Sequence, residues 1–390
     1  MITVAQEQQA ILQANQLGKL IQVISRKGYE IFGPTMRDGA IVYDRLESAE
    51  ELPAGWTDEQ GPGRYRLKRR EDQAMFGYAV GPQSRKKYLH PATVQLWAAE
   101  RQGATFRILN NEIPSNPIPT NQVPPQHPYA FLGVRACELA AITVQDRVLL
   151  EDKYRDPIYE EHRSRAFVIA VQCTQAAATC FCASMGTGPR ARKGFDLALT
   201  ELVAPGVHRF VVETGSKRGA EVLAELQTAS ATDADRQEAD AALDGAARQQ
   251  VRSIDTQGIK DLLYQNFDHP RWDNVAARCL TCANCTMVCP TCFCNTIEDM
   301  TDISGDHAER WRRWDSCFTQ SFSYIHGGSV RASSKARYRQ WMTHKLASWI
   351  DQFGTSGCVG CGRCIVWCPV GIDITEEARA IREENSHGKP

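Results

Sequence analysis

Two stretches of the chain repeat one cysteine spacing, and that spacing limits what the residues around them can fold into. "CLTCANCTMVCP" places Cys279, Cys282, Cys285 and Cys289 ahead of Pro290, and "CVGCGRCIVWCP" places Cys358, Cys361, Cys364 and Cys368 ahead of Pro369. Both read C-x2-C-x2-C-x3-C-P, a spacing that holds a pair of iron–sulfur clusters. Three thiolates two residues apart wrap one turn of chain around a face of a cubane, and small intervening residues let backbone amides approach the sulfurs. The fourth cysteine of each run is carried away to the other cluster. The spacing assigns Cys279, Cys282, Cys285 and Cys368 to one 4Fe–4S cluster, and Cys358, Cys361, Cys364 and Cys289 to a second. Zinc also uses CxxC pairs, but does not ask for a third cysteine at the same interval followed by Cys-Pro, twice.

Of 15 cysteines, four precede Cys279: Cys137, Cys173, Cys180 and Cys182. Cys137 follows the apolar run "YAFLGV" and Cys173 ends "AFVIAVQC". If those runs are neighbouring strands, both thiols fall at one edge of a sheet, where α/β proteins usually place their sites. Four thiolates are what one further 4Fe–4S cluster requires, so a third cluster is expected here, against the alternative of four unrelated thiols. The string "TCFC" occurs both at Thr179–Cys182 and at Thr291–Cys294. The second copy abuts ligands already counted, so Cys292, Cys294 and Cys317 are read as packed thiols, free cysteine behaving as a small buried hydrophobe.

The rest of the chain sorts into an α/β region over 1–257 and a mainly helical ferredoxin domain over 258–390. In the first, "QLGKLIQVISRKG" has helical spacing and breaks at Gly28, while "YEIFGP" and "AIVYD" read as strands. "PAGWTDEQGPG" reads as loop, and the proline-rich Asn110–Pro128 as a constrained extended connection. "YAFLGVRACELAAITVQDRVL" reads as strand, turn at Gly133–Arg135, then helix. "AFVIAVQC" and "VHRFVVETG" read as strands, with "GFDLALTEL" compatible with either type. One or two surface helices are expected over 216–261. In the second region "IKDLLYQNF", "WDNVAARCL", "HAERWRRWDSCF", "SKARYRQWMTHKLASWIDQFG" and "EEARAIREEN" are expected as helices, the last with a capping box from Asp373 and Glu376.

Composition removes several function classes. Forty-five basic residues against 46 acidic leave a formal charge of −1, so no global field argues for nucleic acid. Basic runs such as "RLKRR" read as solvated or partner-facing surface. The opening residues lack a basic segment followed by a long apolar one, and no run is long enough to span a membrane. Clustered CxxC cysteines without an export signal favour metal ligation over disulfides and a reducing, cytoplasmic setting. "GTGP" (Gly186–Pro189) is too short for a nucleotide fingerprint. His307, His326 and His344 read as packing or surface histidines, with orientation of a ligand as the alternative. No nucleophile–base pair or paired carboxylate stands out, so no catalytic residue is assigned.

The segments "GVRACELAAI", "TCFCASMGTGP", "CPTCFCNTIEDMTDISG", "AERWRRWDSCF" and "GCVGCGRCIVWCPVGID" together resemble the iron–sulfur beta subunit of cytoplasmic, sulfhydrogenase-type nickel–iron hydrogenases. The corresponding electron-transfer subunit of anaerobic sulfite reductases falls in the same family. The likeness covers most of the chain and is weakest at the ends and over 216–255. It implies a non-catalytic electron-transfer subunit working between a flavin subunit that handles NAD(P)H and a catalytic core. The core would be the small and large nickel–iron subunits, or in the sulfite-reductase case a sirohaem subunit. The family's ferredoxin cysteines map onto the eight assigned above. The chain departs from the family pattern at "GVRAC", where Ala136 stands in place of proline. A flavin-binding reductase in its own right and a zinc scaffold are the rival readings.

Overall fold

The computed structural model describes residues 9–109, 127–151 and 153–387. The proline-rich connection expected over 110–128 lies outside the described residues except for its last two positions. The centre of the N-terminal region is a mixed eight-stranded sheet. Its order is Ala229–Ser230, Gln9–Gln13, Val207–Thr214, Leu197–Ala204, Phe167–Val171, Tyr129–Val134, Glu30–Arg37 and Ala40–Arg45. The four strands from Leu197–Ala204 to Glu30–Arg37 run parallel, and the flanking ones pair antiparallel.

Burial on both faces explains why Tyr129–Val134 and Phe167–Val171 read as continuous apolar runs; every residue of both is buried. One face packs against the Leu17–Arg26 helix, whose Leu17, Leu20, Ile21 and Ile24 meet Leu132, Ile169 and Leu199 in one core. The other carries the Ala136–Leu149 and Pro157–Arg165 helices over Phe131, Val168 and Ala170. The ambiguous "GFDLALTEL" is a strand because Leu197, Ala198 and Leu199 fill a central place between parallel and antiparallel neighbours. Two surface helices, Lys217–Ala224 and Asp233–Arg248, follow, the second capped by Thr232.

A second core joins the helices Ile259–Gln265, Arg271–Arg278, Ser334–Thr343 and Ile374–His387 through Leu263, Trp272, Tyr338, Met342 and Ile381. Asp373 caps the last of these by accepting from the Thr375 N–H at 2.9 Å, and its other oxygen pairs with Arg252. Among the described residues no helix is long and apolar enough to cross a membrane.

Two expectations are corrected. "HAERWRRWDSCF" is not a helix: His307–Trp314 is a strand between Asn295–Thr301 and Thr93–Gln102, with Thr105–Ile108 at the far edge. Its charged residues have helical propensity, but Arg310 lies across from Asp299 and binds it with two hydrogen bonds, while Trp311 is buried. On its other side the strand pairs with Thr93–Gln102, about two hundred residues away, which local propensity does not register. "PAGWTDEQGPG" is likewise not all loop, since Trp56–Gly61 pairs antiparallel with Arg64–Arg69.

Candidate metal centre

The two cysteine loops follow one backbone path. In the first, Thr281 and Ala283 have φ of +50° and +67°; in the second, Gly360 and Gly362 have +64° and +76°. These are the same positions relative to the first cysteine of each run, two and four residues on. A one-turn helix follows each loop, Asn284–Met287 and Arg363–Val366, and the two helices pack against each other. Left-handed backbone turns amides inward. The Thr281 N–H donates to Cys279 Sγ at 3.4 Å, and the Gly360 and Arg363 amides donate to Cys358 and Cys361. Non-glycine residues held at positive φ cost of order 1 kcal/mol each and concentrate where function requires them.

Glycine is required only in the second loop. A Cβ on Gly362 would lie 2.4 Å from Thr179 O, and one on Gly360 would lie 2.7 Å from Cys182 Cα. The first loop accommodates side chains at both places. Gly362→Ala is therefore expected to cost well over ~1 kcal/mol, whereas Ala283→Gly should leave stability within about 1 kcal/mol, as read by chemical denaturation of each variant.

Cys279, Cys282, Cys285 and Cys368 line one solvent-facing recess of about 420 Å³, walled by Phe318, Tyr338 and Ile372. Among the described residues no charged side chain lines it. The Ile372 N–H donates to Cys368 Sγ at 3.3 Å. Cys282 is exposed, and Leu280 and Val370 stand out at the rim. Cys364 also borders this recess from the second loop. Burial pushes its thiol well above the ordinary range, and the neighbouring thiols of Cys358, Cys361, Cys289 and Cys285 add to the effect. Soft thiol donors, amide-to-sulfur hydrogen bonds and an apolar wall suit an iron–sulfur cluster. Among the described residues no group of three or more His, Cys, Asp or Glu closes around a single metal ion. A tetrahedral zinc site needs all its sulfurs about 2.3 Å from one point, whereas a four-iron cubane needs them farther apart.

The N-terminal thiols also meet. Tyr129–Val134 and Phe167–Val171 are adjacent and parallel, so Cys137 and Cys173 both lie just beyond the carboxyl ends of neighbouring strands. Cys182 packs with Cys137 in one buried cluster that also contains Cys361 of the second loop. Burial drives the Cys182 thiol up to about 12, with Cys173 and Cys361 adding to the effect and Gln250 opposing it. Cys180 is raised by burial and by Cys182 in the same way. The join is held by two hydrogen bonds to carbonyls of the second loop: the Phe181 N–H donates to Gly360 O at 2.9 Å, and Thr187 Oγ1 donates to Val359 O at 2.7 Å. Through Thr187, "GTGP" thus clasps the second loop.

Charged residues around these thiols escaped the sequence reading. Glu138 is 3% exposed and accepts from Arg363 Nη2 at 2.7 Å, with Arg85 at 3.6 Å and the Arg135 N–H at 3.2 Å. Burial pushes its carboxyl up, but Arg363 and Arg85 outweigh that and hold it below the ordinary carboxylate range. The only sequence signal was Arg363 inside the second cysteine loop. Lys345, equally buried, reaches Cys289 Sγ at 3.2 Å. Burial would lower its pKa, yet Cys289, Cys292 and Cys358 hold it well above the usual lysine value. Cys292 lies against Cys289, and Cys294 accepts the Cys317 amide. His307 and His344 bond Glu309 and Gln352, and His326 sits in the turn between Tyr324–Ile325 and Gly328–Ser329.

A two-loop thiol site of this form defines a dicluster iron–sulfur protein, and the family model described as "4Fe-4S dicluster domain" matches residues 278–372. A second comparison widens the match beyond that domain. The chain is 32% identical over 283 residues to "Sulfhydrogenase 2 subunit beta" of Pyrococcus furiosus, covering 72% of this chain and 80% of the relative. It belongs to the sulfhydrogenase-type iron–sulfur beta-subunit family. No solved structure matches it.

Proposed function

We propose that the chain is the electron-transfer subunit of a hydrogenase-type complex, without a catalytic site of its own. Cys279, Cys282, Cys285 and Cys368 would hold one 4Fe–4S cluster, and Cys289, Cys358, Cys361 and Cys364 a second. Cys137, Cys173, Cys180 and Cys182 would hold a third. Such clusters supply one-electron transfer when bound. Contacts among the chain's own residues support an order for the relay. The first set opens to solvent, Cys364 joins it to the second, and Cys361 joins the second to the N-terminal set. This continuity of three thiol groups is the observation that carries the reading. Arg135 accompanies the N-terminal set, donating through its side chain toward Cys173.

The partners are a flavin subunit handling NAD(P)H at one end and the small and large nickel–iron subunits at the other. The relative's assignment to a sulfhydrogenase supports this choice over a sirohaem subunit. Anaerobic purification of the native assembly should return the chain with both partners and broad absorption near 400 nm. A sirohaem companion would move the reading to a sulfite reductase. A stoichiometric flavin on the isolated chain, with NAD(P)H oxidation, would overturn it.

A further inference from the structure

The two cysteine loops match in backbone path, in the amide donated to their first cysteine and in the helix that follows, yet their fourth cysteines have different neighbours. Cys368 Sγ receives a backbone amide, from Ile372. Cys289 Sγ likewise receives a backbone amide, from Thr291, and contacts the Thr291 hydroxyl at 3.1 Å and the Cys292 thiol, but it receives an ammonium as well. Lys345 Nζ donates to Cys289 Sγ at 3.2 Å, to Thr291 Oγ1 at 3.1 Å and to Gly357 O at 3.4 Å. An ammonium has three donors. All three are used, and the residue is 3% exposed, so its position is fixed and little solvent screens it.

The backbone around Lys345 is shaped for this contact. His344–Ser348 is a π-helical turn inserted between the Ser334–Thr343 helix and Trp349–Phe353. Such turns are rare and frequently mark functional positions. Lys345 O accepts from the Gly357 N–H at 2.8 Å and from Ser356 Oγ at 3.1 Å, which ties the turn to the start of the second cysteine loop. Lys86, also 3% exposed, lies over the Trp314 ring and donates to Cys292 O at 3.2 Å, not to a sulfur of the set. Arg363, beside the same set, is paired with Glu138, which it shares with Arg85. Beside the first set, Arg278 is paired with Glu377.

We infer that Lys345 is a positioning residue that selectively raises the reduction potential of the cluster held by Cys289, Cys358, Cys361 and Cys364. Reduction by one electron from a redox partner adds one negative charge next to a fixed, buried positive one, which favours the reduced form. Among the described residues no such group reaches the fourth cysteine of the matched first set, so the two sites, alike in ligands, differ in potential through this side chain. The inference rests on the proposed assignment of Cys289 to the second cluster.

Redox titration of the anaerobically loaded full chain, followed by electron paramagnetic resonance, tests it in Lys345→Met and Lys345→Arg. In Lys345→Met one signal should shift to more negative potential by about tenfold in the one-electron equilibrium constant, ~59 mV. The other signals should stay in place, and Lys345→Arg should recover most of the shift. Wild-type protein labelled with 15N-lysine should show a weak nitrogen coupling on the shifted signal, absent in Lys345→Met. No shift, an equal shift of all signals, or no coupling would overturn the role. So would loss of one cluster in Lys345→Met, which would make Lys345 a brace. If Cys289→Ser leaves every signal unchanged, the ligand assignment itself fails, whatever Lys345 does.

Discussion

Anaerobic reconstitution is expected to load about 12 iron atoms per chain, and the double variant Cys180→Ser/Cys182→Ser about 8. This is the largest effect expected from a change confined to the N-terminal region. The reason is local: Cys180 and Cys182 stand on a loop clasped to the second cysteine loop, while Cys137 and Cys173 are fixed by two adjacent parallel strands. Removing two of four thiolates leaves no set able to retain a four-iron cluster. Iron and sulfide analysis with spin quantification reads the result. A wild-type chain that stops at about 8 iron atoms while its ferredoxin loops are fully loaded would defeat the third cluster.

The second large effect concerns stability. Glu138→Ala would leave Arg363 and Arg85 buried without their carboxylate, and breaking such a buried pair costs about 3–5 kcal/mol. Both arginine side chains are 1% exposed or less, so water cannot substitute. Glu138→Gln keeps shape and one acceptor and should lose less. The pH dependence follows from the depressed Glu138 pKa. Its contribution is fully present above the unfolded glutamate value of about 4.3 and is lost as pH falls through the lower folded value. Denaturation of the loaded chain should therefore show a larger wild-type advantage over Glu138→Gln at pH 7 than below pH ~4. An advantage independent of pH would mean that the carboxylate's charge contributes nothing.

How much was legible differs from element to element. The strand–turn–helix around "YAFLGVRACELAAI" was readable because buried parallel strands are apolar throughout and the following helix starts at once. The His307–Trp314 strand was not. One of its pairing partners, Thr93–Gln102, lies about two hundred residues away in sequence, and its arginines and glutamates favour helix in isolation. Lys345 was equally hidden, since a lysine in a helical pattern reads as solvated surface until a neighbouring segment covers it.

The sequence by itself determined the two cysteine loops. Spacing of two, two and three residues suffices for one local backbone path, and the fold repeats that path at both sites, left-handed positions included. That Cys137 and Cys173 follow two buried strands was also legible in their apolar runs, but the sheet decided that those strands are neighbours. Tertiary structure alone decided which thiols stand next to which charges. Arg363 to Glu138 and Lys345 to Cys289 are contacts across 225 and 56 residues, and such contacts depend on packing of separate elements. Local sequence sets φ, ψ and face periodicity, but the field at a buried sulfur comes from whatever the fold brings within a few ångströms.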